Sequence, residues 1–255
     1  MSVLRDRPLH RVIFAVLAAP LALGLAACSG EDATTAGGNG EPVAPVAAPA
    51  GTTWSKTVTR TEQGGWLVGN PDAPIKLVEY GSLTCPACAR FAEEGSKALL
   101  ENYVDTGRVS FELRSAVIHG VVDLMLTRLI ECAPETAAIP LADQVWFNLG
   151  EIQQTYMSQQ DAMNRALQLP ENQRFVALGE VGGFTQFFAA RGISTDQANA
   201  CLADAPAMMR LAEVTQGAMQ ADNVTGTPTF FLNGQKIDAT RWAEVEGALQ
   251  RAGAR

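Results

Sequence analysis

Histidine is almost missing from this chain of 255 residues; His10 and His119 are the two present. His10 falls in an N-terminal leader, and His119 reads as a loop or helix-start residue rather than a catalytic one. A basic surface is missing too. With 19 Lys and Arg against 27 Asp and Glu the formal net charge is -8, and no basic patch invites nucleic acid. No apolar run reaches the ~20 residues that span a bilayer. The longest, Val12 to Ala27, is broken by Pro20. There is no internal repeat, and nothing in the sequence asks for a cofactor or a metal. Cysteine is sparse, at five residues.

What the N-terminus does contain is an ordered set of signals. Arg5, Arg7 and Arg11 form a basic region, the short apolar stretch follows, and Leu25-Ala26-Ala27-Cys28 closes it. This resembles a lipoprotein signal peptide over residues 1–27, with Cys28 as the lipidated first residue of the mature chain. An ordinary signal peptide with an incidental cysteine, or a short membrane anchor, is the competing reading. Cleavage would leave 228 residues and, with three Arg and one Asp gone, a net charge of -10. Residues 28–52 are rich in Gly, Ala, Pro and Thr and cannot bury enough apolar surface to offset the entropy of ordering, so they read as a flexible tether. Four cysteines then remain, an even number suited to an oxidising compartment.

Two of the four form Cys85-Pro86-Ala87-Cys88. The motif follows an apolar run, Ile75 to Tyr80, that reads as a strand, and precedes residues 89–103, which carry apolar side chains at helical spacing. Two cysteines at this separation can close a small disulfide, and a helix N-terminus stabilises the thiolate of the first. Cys85 is therefore the candidate nucleophile and Cys88 the buried resolving thiol. Pro86 suits the first helical turn, where an N–H would be unpaired. A zinc half-site, a static structural disulfide and a chance spacing are the alternatives that the motif alone leaves open. Far downstream, Val224 to Gly234 places Pro228 at the mouth of an apolar strand that runs into an Asn-Gly hairpin signal.

With both elements present the chain resembles the thioredoxin superfamily, and within it the DsbA-like thiol:disulfide oxidoreductases of bacterial envelopes. The resemblance runs from about Trp66 to the C-terminal helix and rests on Gly69-Asn70-Pro71-Asp72-Ala73-Pro74, the Cys85 to Cys88 motif and Gly226-Thr227-Pro228-Thr229. It implies an α/β thioredoxin fold with a large inserted helical domain. The first part of that fold is expected over 53–117, the insertion over 118–223 and the second part over 224–255. Short strands are expected at Thr53 to Val58 and Trp66 to Val68, with a further strand at Val109 to Leu113. Helices are expected over 123–132, 138–156, 161–167, 172–190, 195–202, 207–222 and 239–252.

The resemblance further implies a cis Pro228 set against the C-x-x-C, with Thr227 beside Cys85 tuning redox potential and substrate binding. Glu79 would be a buried carboxylate that shuttles the proton of the resolving thiol, with Arg114 as a candidate partner; a strand-end Glu facing solvent is the alternative. Cys132 and Cys201 are read as a structural disulfide, supported by relatives that carry a second one, against a four-cysteine zinc site shared with the C-x-x-C. Ala87 departs from the best-known DsbA motif, which has His there. Its absence implies a less acidic Cys85 and a weaker oxidant. The function expected is an envelope oxidase assisting disulfide formation; a reductase or isomerase, or a non-catalytic lipid-anchored binding protein, is the alternative. Expected partners are cysteine-containing envelope proteins, a membrane redox protein that recycles the dithiol, and the inner or outer membrane through the lipid on Cys28. The tether is too short and polar for a dimerisation domain, so a monomer is expected.

Overall fold

The computed structural model describes residues 40–255, so the leader, Cys28 and the first part of the tether lie outside the described residues. The central strand, β3 (Ile75–Gly81), shows why the sheet forms. Side chains alternate across a strand, so Ile75, Leu77 and Glu79, each 1% exposed, share one face, while Lys76, Val78 and Tyr80 share the other. Around it stand β1 (Val58–Arg60), β2 (Trp66–Gly69), β4 (Val109–Ser115), β5 (Thr229–Leu232) and β6 (Gln235–Ile237). The sheet order is β1-β2-β4-β3-β5-β6. β3 and β4 run parallel, from Ile75 opposite Val109 to Gly81 opposite Ser115, and the other pairs are antiparallel.

A parallel pair needs a crossover, and α1 (Pro86–Ala98) supplies it, continued by a π-helical turn over Leu99–Val104. Phe91 of α1 packs its ring 4.6 Å from Phe230 of β5 and 6.2 Å from Trp242 of the C-terminal helix. Between β4 and β5 the chain is helical. It forms α2 (Val121–Glu131), α3 (Ala138–Phe147), α4 (Leu149–Ser158), α5 (Gln160–Leu167), α6 (Glu171–Val181), α7 (Phe184–Ala189), α8 (Thr195–Ala203) and α9 (Ala205–Ala221). The last helix, α10 (Trp242–Arg251), closes the fold. One apolar cluster joins sheet residues such as Leu77 and Phe111 to insertion residues such as Phe184 and Phe188, so the insertion shares a core with the sheet.

Four expectations differ from the structure. The helix expected over 138–156 is two, broken at Asn148, whose side-chain amide donates to the Gln144 carbonyl at 2.7 Å and ends α3. The helix expected over 172–190 also divides, at Gly182 and Gly183. The first expected strand, Thr53 to Val58, is a 3-10 turn over Trp54–Lys56 before β1, because the Asp105 carboxylate accepts from the Ser55 N–H at 2.6 Å and its hydroxyl at 3.0 Å. The described part of the expected tether is a docked strap. Gly40 N–H donates to Arg251 O at 2.7 Å, Val43 N–H to Gly253 O at 2.9 Å and Val46 N–H to Thr106 O at 2.9 Å. Gly253, at φ 106°, permits the approach, since a Cβ there would strike the Glu41 carbonyl.

Candidate active site

The dithiol sits where β3 hands over to α1. Cys85 is the N-cap, with extended backbone at φ -87° and ψ 121°, and Pro86 follows at the helix start. Ala89 N–H donates to Cys85 O at 3.1 Å and closes the first turn. Cys88 is therefore one turn along, fully buried, whereas Cys85 is 7% exposed; both are free thiols. Cys85 is thus the more accessible of the two sulfurs, though largely covered. Part of its cover comes from a segment 142 positions away: the thiol donates to the Thr227 carbonyl at 3.4 Å, and the Thr227–Pro228 peptide is cis.

The two sulfurs differ sharply in acidity. The Cys85 thiol is lowered from 9.0 to about 5, first by the hydrogen bond from the Cys88 thiol. The Thr227 side chain and the Cys88 and Ala87 N–H groups at the helix start add to this, against the cost of burial. The Thr227 hydroxyl has no other partner, so the charged sulfur is the acceptor open to it. Burial pushes the Cys88 thiol well up, reinforced by the Cys85 and Glu79 charges. With alanine at position 87 the lowering of the Cys85 thiol comes from these donors, to about 5, less far than the roughly 3.5 of DsbA.

Glu79 lies on the same face of β3 as Leu77, under α1. Neither carboxylate oxygen has a hydrogen-bond partner, and burial, then Asp143, then Cys85, drive its pKa well above the carboxylate range. Gly81 makes room for it, since a Cβ there would come 3.1 Å from both Glu79 Oε1 and the Trp146 ring. Arg114 does not pair with Glu79. It stands opposite Tyr80 in the β3–β4 register and so faces the other side of the sheet. There its guanidinium binds Glu112 at 2.8 Å and Asp222 at 2.9 Å.

Sequence reasoning missed a polar anchor beneath the motif. Asp123, 1% exposed near the start of α2, accepts from the Ser82 hydroxyl at 2.9 Å, the Thr84 hydroxyl at 2.8 Å, the Thr84 N–H at 3.0 Å and the His119 N–H at 2.9 Å. His119 Nδ1 lies 2.9 Å from the Thr84 hydroxyl. The insertion thus fixes the loop that presents Cys85, helped by Trp146 Nε1 donating to Ser82 O at 2.9 Å. Nothing in an Asp at the start of a helix distinguishes such an anchor from an ordinary helix-dipole charge. Cys132 and Cys201 are joined as a disulfide between the end of α2 and α8, with Cα atoms 6.3 Å apart. The four cysteines thus fall into two pairs, and the described residues hold no cluster of three or more metal-ligating side chains.

The family model described as Thioredoxin matches residues 61–251. The chain belongs to the thioredoxin family. Within that superfamily it is DsbA-like and of the thiol:disulfide oxidoreductase class. A protein-disulfide isomerase of known structure from Novosphingobium aromaticivorans is 26% identical, with a TM-score of 0.66 over 73% of this chain and 95% of that one. The α-DsbA1 protein of Wolbachia pipientis shares the fold at 20% identity and a TM-score of 0.57, over 73% of this chain and 89% of that one. A Rickettsia bellii protein named "Putative protein-disulfide oxidoreductase" is 24% identical over 77% of this chain and 68% of its own length. The chain spans about two thirds of the Rickettsia relatives it matches. Among the described residues no helix is long and apolar enough to cross a membrane.

Proposed function

We propose that this protein oxidises cysteine pairs in envelope proteins through Cys85 and Cys88, working as a monomer held at the membrane by lipid on Cys28. The observation that carries the reading is the split between the two sulfurs. Cys85, at about 5, lies between the roughly 7 of thioredoxin and the roughly 3.5 of DsbA. A reduced form stabilised in this way makes the corresponding disulfide an oxidant.

The exchange runs in two displacements. A substrate thiolate attacks Cys85 in the Cys85–Cys88 disulfide; the S–S bond breaks, and Cys88 leaves with the electron pair and takes a proton from Glu79. A second substrate thiolate then attacks the substrate sulfur of the mixed disulfide, and Cys85 leaves as a thiolate that stays unprotonated at neutral pH. The substrate dithiol gives up two protons, one retained on Cys88 and one released to solvent. Thr227, which precedes the cis Pro228, lies beside the sulfur under attack. A disulfide of a membrane redox partner returns the enzyme to its oxidised state.

An isomerase is the second reading, favoured by the likeness to the Novosphingobium protein-disulfide isomerase; position 87, being alanine, favours a reductase. Trapping mixed disulfides in envelope extracts with Cys88→Ala separates these. Capture of reduced, newly exported proteins supports the oxidase, whereas exclusive capture of mature proteins with existing disulfides contradicts it. Cys28→Ser should move the protein from the membrane to the soluble fraction, and unchanged membrane association would rule out the lipid anchor.

A further inference from the structure

A cavity of about 10 Å³, the room one water needs, lies between β3, α1, β4 and α3. Two carboxyl groups line it. Glu79 is the deeper, with both oxygens unpartnered. Asp143 of α3 is the other; it is half-buried, and its Oδ2 accepts from the Ser96 hydroxyl of α1 at 2.6 Å. The remaining wall is largely apolar, including Phe91, Phe111, Leu113 and Ile139. The charged and titratable groups acting on Glu79 are Asp143 from α3 and Cys85 at the N-cap of α1, with Cys88 of that helix coupled to it. From the neighbouring strands it meets Leu113 and Phe230, which carry no charge.

We propose that Asp143, contributed by the helical insertion, is the outlet for the proton that Cys88 exchanges through Glu79, connected to Glu79 by a water in this cavity and held in place by Ser96. The inference rests on the dithiol-exchange reading and extends it. Glu79, whose burial favours the protonated form, regains a proton while the dithiol is still reduced, so the proton that Cys88 gives up on re-oxidation must leave the site. The oxygens of Glu79 touch no donor, and the largely apolar walls leave Asp143 as the other carboxyl group on the cavity. When the disulfide is reduced, Cys88 leaves with the electron pair and takes the Glu79 proton; Asp143 reprotonates Glu79 through the water and is itself reprotonated from solvent. When the dithiol is re-oxidised, Cys88 gives its proton back along the same line. Its electron pair forms the new bond to Cys85 and expels the partner's thiolate. Asp143 suits this place because burial raises it to about 6 while Ser96 opposes the shift, so it both gains and loses a proton near neutral pH.

The test is single-turnover exchange with a model dithiol and a model disulfide, in water and in deuterium oxide across pH, for the parent, Asp143→Asn, Asp143→Glu and Ser96→Ala. Asp143→Asn should slow the Cys88 step by about tenfold, less than the 10²–10⁴ that a direct proton donor contributes. It should also enlarge the solvent isotope effect, and Asp143→Glu should restore most of the rate. Ser96→Ala removes a donor that lowers Asp143, so the corresponding limb of the pH profile should move upward. Parent rate and isotope effect in Asp143→Asn, or equal slowing in both solvents, would overturn the relay. If Asp143→Asn does not fold, an unmoved limb in Ser96→Ala overturns it. The alkylation midpoint of Cys85 is the control. It should stay near 5 in every variant, and a parent protein that lacks that midpoint or performs no exchange fails the underlying reading instead.

Discussion

Cys85 owes its acidity to neighbours one turn away and across the fold rather than to a cation in the motif. Ala87→His would add such a cation. It should lower the Cys85 pKa further and raise the reduction potential, by about 30 mV for each ~1.4 kcal/mol gained by the reduced form, read by glutathione titration. An unchanged potential would show that Cys88, Thr227 and the helix start already fix the redox poise. Glu79 carries the opposite sign. Its folded pKa lies above the unfolded value, so above the ordinary carboxylate range the folded state holds a proton that the unfolded chain releases, and stability is lost as pH rises. Glu79→Gln should therefore stabilise the protein near neutral pH while slowing exchange, with little effect below the carboxylate range. Urea unfolding at two pH values checks this, and equal stability at both would contradict the assignment. For Cys85 in the reduced protein the linkage runs the other way: its contribution is complete above the unfolded thiol value and is lost as pH falls through about 5.

At the scale of elements, the strand, dithiol and helix were legible because each signal is local: alternation in Ile75 to Tyr80, Cys85 and Pro86 at a helix start, and Pro228 at a strand mouth. The anchors were not. Asp123 and Asp143 are aspartates on helices, and what distinguishes them is Thr84 and Ser96, 39 and 47 positions away. The pairing of Arg114 was misjudged because sequence gives its nearness to Glu79 but not the register that sends the two side chains to opposite faces. The link between α2 and α8 closes a loop of 69 residues. Removing it with Cys132→Ser and Cys201→Ser together should cost ~4 kcal/mol of stability in the chain-entropy model. Exchange by the folded fraction should persist, because Cys85 and Cys88 belong to a separate pair. Loss of exchange in still-folded protein would assign that disulfide an electron-transfer role.

Across the whole molecule, the insertion does more than decorate the sheet. It shares the sheet's apolar core, fixes the loop before Cys85 through Asp123 and Trp146, and brings Asp143 to the cavity beside Glu79. The strap from Gly40 onward ties the N-terminal side of the body to the end of α10, where composition alone had implied free chain. Contacts of this kind are made by backbone groups, which every sequence carries, and so leave no mark in composition. The chemical property at the centre of the site is a first cysteine that is charged when its partner is not. Thiolate absorbance of the reduced full-length protein as a function of pH, repeated with Cys85→Ser, reads that property directly. A single midpoint near 5 that disappears in Cys85→Ser is the expected result. A midpoint near the ordinary thiol value, or one that survives in Cys85→Ser, would contradict Cys85 as the nucleophile.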